Sequence, residues 1–123
     1  MELTGFRSTR VSQQHNEEAR VTEGQYQTQI IKKLKDRFPG CDVLKMDASY
    51  KQGFPDLLLL HGRNWASLEV KTSPSANIQP NQDYYIERLS KMSFAAYIHP
   101  ENEEEVLDAL QQAFESPRRA RVS

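Results

Sequence analysis

A single cysteine, Cys41, in 123 residues excludes an intrachain disulfide framework. The three histidines, His15, His61 and His99, stand far apart with no cysteine near them, which excludes a structural zinc site. The longest aliphatic run is four residues, Leu57 to Leu60. A membrane-spanning helix needs about 20 apolar residues, so no transmembrane segment and no membrane partner are expected. No apolar stretch follows the first basic residues, so a secretory leader is not expected and the cytoplasm is the expected compartment. A large excess of one charge is also missing, because the net charge is −1. That excludes an indiscriminate polycation.

The charge is unevenly spread all the same. Residues 1–22 are neutral, residues 23–100 sum to +2, residues 101–115 to −6 and residues 116–123 to +3. A mildly basic middle permits nucleic-acid binding without proving it. With 37% hydrophobic and 27% charged residues the chain holds one small domain, and a partner or second copy would bury more surface.

Residues 1–21 are polar and lack an apolar period, which predicts a flexible N-terminal arm. A single domain is expected over residues 22–115, and a disordered basic tail over 116–123. Thr22 and Gln25 have the spacing of a capping box and open a helix. Its apolar stripe is Ile30, Ile31, Leu34 and Phe38, and extending the stripe backwards reaches Glu23. Pro39-Gly40 ends it. Strands are predicted over 41–46, 55–60, 65–70 and 94–98, with helices over 79–91 and from the cap Asn102 onward. The order αβββαβα predicts an α/β fold with a mixed central sheet flanked by helices.

The strands over 55–60 and 65–70 meet at Gly62-Arg63, and glycine first in a two-residue turn suits type II′. Asp56 and Glu69 are equidistant from that turn and therefore stand opposite each other. Cross-strand neighbours have Cβ atoms about 5 Å apart. Two carboxylates that close repel unless a positive group lies between them, and a hard cation such as Mg²⁺ fills that role. Lys71, two residues past Glu69, points to the same side. Val70 points away, but its backbone carbonyl lies beside the patch as a further ligand. Two carboxylates, a cation and an ammonium suit phosphodiester hydrolysis. Lys71 would hold or deprotonate the water, or neutralise charge at phosphorus. Charges on the outer face of an alternating strand are the plainer explanation of the same three residues. Against it, Asp56 is a poor strand former opening an aliphatic strand.

Gly53-Phe54-Pro55-Asp56 followed by Glu69-Val70-Lys71 resembles the PD-(D/E)XK nuclease superfamily, in particular small VRR-NUC and Holliday-junction-resolvase-like enzymes. The resemblance covers residues 22–100 and implies a restriction-endonuclease-like αβββαβ core with a C-terminal helix added. It implies that Asp56 and Glu69 bind metal, Mg²⁺ or Mn²⁺, together with the Val70 carbonyl. It implies that Lys71 is the catalytic lysine and that Glu23 is an accessory acid completing the metal shell through water. Gln82 matches a glutamine that touches substrate phosphate or orients a water. Gln82 is followed by tyrosines two and three residues on, not four, which departs from the processive exonuclease branch. The implied activity is an endonuclease on duplex, nicked or branched DNA.

Smaller features add candidate contacts. Ser49, Tyr50 and Lys51 precede the catalytic strand and can meet phosphate or stack on a base. An ordinary polar loop explains them equally well. Lys45 is placed in the same groove. His61 is expected to be exposed in the turn, and at most one of Tyr84 and Tyr85 can point inward. A homodimer is expected on size, with a helicase or a replication or recombination protein as a further partner. The competing expectations are an RNA-directed nuclease and a catalytically inactive module of the same fold that binds nucleic acid or protein.

Overall fold

A computed structural model describes residues 21–47 and 49–116, and places three helices and four strands in them. Helix α1 spans Glu23–Arg37, β1 Asp42–Lys45, β2 Leu57–His61, β3 Asn64–Val70, α2 Gln82–Ser90, β4 Phe94–Ile98 and α3 Glu103–Glu115. The sheet order is β1-β2-β3-β4. The first two pairings are antiparallel and the third is parallel, so the sheet is mixed and open. No helix among the described residues is long and apolar enough to cross a membrane. The expected basic tail lies outside the described residues apart from Ser116, and so does the expected arm apart from Val21, which packs against the core.

The capping box forms. Thr22 Oγ1 accepts from Gln25 N at 3.0 Å, and Gln25 Oε1 accepts from Thr22 N at 3.0 Å. The inward stripe of α1 is Tyr26, Ile30, Leu34, continued by Phe38. It packs with Val106, Leu107 and Leu110 of α3 on Leu57, Leu59, Ala66, Leu68, Val70 and Ile98 of the sheet. Tyr26 differs from the sequence expectation, which ran the stripe through Ile31 and Glu23. It enters the core because its hydroxyl finds a partner there, the buried Glu103, at 2.9 Å. Lys33 binds the other oxygen of that carboxylate. Burial and the adjacent Glu103 push the Tyr26 phenol pKa far up, so the hydroxyl stays a donor. Tyr26→Phe leaves Glu103 with Lys33 alone and is expected to cost about 2 kcal/mol in denaturant unfolding.

The other face of the sheet is only half covered. Ser67 and Glu69 on β3 are buried under α2, whose Leu89 also turns inward. Over β1 and β2 the same face stays open, with Leu58 half-buried and Leu44 and Leu60 exposed.

Several boundaries shift for local reasons. Strand β2 begins at Leu57 and not at Pro55, because Pro55 has no N–H and the Asp56 N–H donates to a side chain. Helix α2 begins at Gln82 and not at Gln79, because Asn81 has φ 72°, which a helix cannot contain. Asn102 sits before α3 as expected, yet its side chain turns back, accepting from His99 N at 2.8 Å and donating to the Tyr97 carbonyl at 3.2 Å. His61 is not simply exposed. It packs edge-on against Phe38 and stacks with Phe114.

Candidate metal centre

The Gly62-Arg63 turn forms with His61 opposite Asn64, and only its glycine has positive φ, as type II′ requires. The register pairs Leu57 with Leu68, so Asp56 faces Glu69 one step further on. Backbone amides hold both carboxylates in place. Asp56 N donates to Glu69 Oε1 at 3.2 Å, and Val70 N donates to Asp56 Oδ2 at 3.0 Å. Each carboxylate is thereby aimed by an amide on the opposite strand. Val70 itself sends its side chain into the core.

Glu23 arrives from the first turn of α1. It lies off the buried stripe and is exposed, yet one of its oxygens joins one each from Asp56 and Glu69 in a group spanning no more than 4.8 Å. Lys71 supplies the positive charge. Its Nζ donates to Gln82 Oε1 and to the Asn77 carbonyl, both at 2.8 Å, and stands 3.8 Å from Glu69 Oε2.

Gln82 is the hub of this network. Its Oε1 accepts from Lys71 Nζ and from Gln79 N at 2.9 Å, while its Nε2 donates to Glu69 Oε2 at 2.8 Å. The carboxamide therefore orients protein groups on both sides. Gln82→Ala is expected to lower divalent-cation affinity about 10- to 100-fold, as loss of a group that orients a metal ligand does. Isothermal titration with Mn²⁺ checks this.

The turn that delivers Gln82 depends on Gly53. This residue has φ +89°, and a Cβ there would stand 2.6 Å from Asn81 Cβ and 2.8 Å from the Pro80 carbonyl oxygen. The loop before Asp56 and the turn before Gln82 thus touch backbone to backbone.

Electrostatics set the site apart from an ordinary surface. Burial, then the charge of Asp56, raises the Glu69 carboxyl pKa to about 8. Burial also raises Asp56, opposed by the Val70 amide and Lys71. Glu23 is raised by partial burial and by Asp56. Three carboxylates face one ammonium, so the fully ionised centre is short of positive charge. The donors are all hard oxygens, and their span of up to 4.8 Å is one that Ca²⁺, with oxygen ligands at about 2.3–2.6 Å, bridges as they stand, while Mg²⁺, at about 2.0–2.1 Å, must draw them closer. The residues present fit such an ion.

The sign of the pH dependence follows. An unfolded Glu69 releases its proton near its ordinary value of 4.5, whereas the folded one keeps it to about 8. Between those values the unfolded chain binds fewer protons, so stability falls as pH rises. Asp56 and Glu23 act in the same direction. Thermal unfolding in EDTA is expected to show Tm decreasing from pH 5 to pH 8, and Mn²⁺ at pH 8 is expected to restore it.

The remaining candidates are placed differently. Lys45 pairs with Leu57, on the face opposite Asp56, so the groove expected for it is not shared. Ser49 binds Asp47 Oδ1 through its amide at 2.9 Å and its hydroxyl at 2.7 Å. Tyr50 is 86% exposed, and Lys51 Nζ lies 5.9 Å from the Tyr85 ring centre. Of the two tyrosines, Tyr85 is half-buried against Phe54 and Tyr84 is exposed. Sequence reasoning missed Asn77 and Gln79, which act through backbone groups that no side-chain pattern reveals. It also missed Tyr97, which neighbours Glu69 in the sheet and whose hydroxyl binds Asp83 in the first turn of α2.

Compared with protein-family models, curated proteins and solved structures, the chain matches none.

Proposed function

We propose that the protein is a divalent-metal-dependent phosphodiesterase that cuts nucleic acid, most directly an endodeoxyribonuclease of the PD-(D/E)XK kind. The observation that carries this reading is the convergence of Glu23, Asp56 and Glu69 within 4.8 Å, with the Lys71 ammonium 3.8 Å from Glu69. Asp56, Glu69 and the Val70 carbonyl would hold Mg²⁺ or Mn²⁺, with Glu23 completing the shell. When bound, the ion supplies Lewis acidity toward a phosphodiester and lowers the pKa of water.

The chain's own groups do the rest. The Val70 and Asp56 amides keep both carboxylates pointed at one place. Lys71 has three N–H donors and uses two on Asn77 and Gln82. The third can donate to a phosphate oxygen or to the attacking water. Gln82 prevents Lys71 from collapsing fully onto Glu69, because it accepts from one and donates to the other. Water would then attack phosphorus in line as the P–O bond to the leaving oxygen breaks, the water giving its proton to solvent and the leaving oxygen taking one up.

Nicking of supercoiled plasmid with Mn²⁺, absent in EDTA, is the test. Failure to cut DNA or RNA of any shape in Mg²⁺ or Mn²⁺ would overturn the reading.

A further inference from the structure

Beside the metal centre lies a cleft of about 480 Å³ that the catalytic reading does not use. Asp56 and Gln82 belong to its lining, together with Ser49, Gln52, Gly53, Phe54 and Gln79. Resting on the phosphodiesterase reading, we propose that this cleft seats the base of an unpaired nucleotide next to the scissile phosphate.

Three observations converge on that ligand. The lining contains no basic side chain, so the cleft brings no positive charge of its own to a second phosphate. It offers instead two exposed amides, Gln52 and Gln79, which donate and accept as a base edge does, while the Ser49 hydroxyl, already donating to Asp47 Oδ1, adds an acceptor. Phe54 provides a flat apolar wall and is braced edge-on by Tyr85, with ring centres 5.4 Å apart. A neutral, planar, hydrogen-bonding group satisfies all three. The volume is within the range of about 300–1,000 Å³ typical of single small-ligand sites. A base in a duplex keeps its Watson–Crick edge on its partner and its faces on its stacked neighbours, so it can lie flat against Phe54 and turn that edge to the amides only after it is unpaired and extruded. The substrate is therefore one with an unpaired or extruded nucleotide at the cut.

Fluorescence anisotropy tests this, with Ca²⁺ holding labelled oligonucleotides uncut. The probes are a fully paired DNA duplex, the same duplex with a central unpaired bubble, and the single strand as DNA and as RNA. The bubble is expected to bind at least about 10-fold tighter than the paired duplex, the scale of one base stacked on an aromatic ring. Gln52→Ala and Phe54→Leu are expected to remove most of that preference while leaving Ca²⁺ affinity and paired-duplex binding in place. Gln52 is exposed, so its substitution does not threaten folding. The two single strands identify the sugar that accompanies the base. Equal affinity for paired and unpaired probes, or variants that weaken both alike, would overturn the inference. Mn²⁺-dependent nicking without strand preference would overturn it too, yet leave the phosphodiesterase reading standing. Absence of both binding and nicking would remove the two together.

Discussion

Asp56→Asn is expected to lower Mn²⁺-dependent cleavage by at least about 100-fold, since even groups behind the ligands cost 10- to 100-fold when removed. The same substitution is expected to make the metal-free protein more stable at pH 8, by about 1 kcal/mol or more. Both effects have one origin. Asparagine keeps an oxygen that can accept from Val70 N, so the strand ends stay joined. It removes the negative charge that, after burial, is the main cause of the raised Glu69 carboxyl. Relief of that repulsion stabilises the fold in EDTA, while loss of a charged oxygen would weaken the hold on a divalent ion under the proposed function. A purely structural aspartate would show no gain in stability. Plasmid nicking and thermal unfolding in EDTA, run on the same preparation, measure the two directions. Loss of both activity and stability would show that Asp56 serves the fold first.

Gly53→Ala is expected to be the most damaging single-methyl change near the site. An L-residue pays about 1–2 kcal/mol for left-handed backbone. The added Cβ would also meet the backbone of residues 80 and 81 below 3.0 Å, where no flexible side-chain tip can yield. Overpacking of that kind typically adds about 1–3 kcal/mol. A fall in Tm of about 10 °C or more is expected, together with loss of Mn²⁺ affinity as Gln82 is pushed off Glu69. Gly24→Ala is the matched control. Gly24 lies in α1 with nothing within 4 Å of a Cβ, so that change is expected to stabilise by about 0.5 kcal/mol. Thermal unfolding of the two variants separates a glycine that is needed from one that is merely present.

Much of this arrangement was legible in the chain. Period-2 and period-3.6 patterns place the elements in the right order, because those periods are local and each segment carries its own. The glycine of a two-residue turn sets the hairpin register, and the register places Asp56 opposite Glu69. The capping box marks the first residue of α1 for the same reason, since both partners lie within one turn. Where partners are remote, the sequence pattern misleads. Ile31 packs against the core as its spacing predicts, but Tyr26 is buried there too, because a carboxylate 77 residues away accepts its hydroxyl. Asn102 has the composition of a capping residue, but two backbone groups of the preceding turn claim its side chain.

The one-dimensional chain determined the elements, the tight turn and the opposition of two acids, all consequences of spacing within a single strand, helix or hairpin. Tertiary structure brings Glu23 to them, as the resemblance implies, and alone decided that Gln82 bridges Lys71 and Glu69 and that Lys45 stays on the other face. Those outcomes depend on how α1 and the turn before α2 dock at one end of the sheet. Burial there removes water from three carboxylates, and their raised proton affinity is a property of the packed site that no spacing contains.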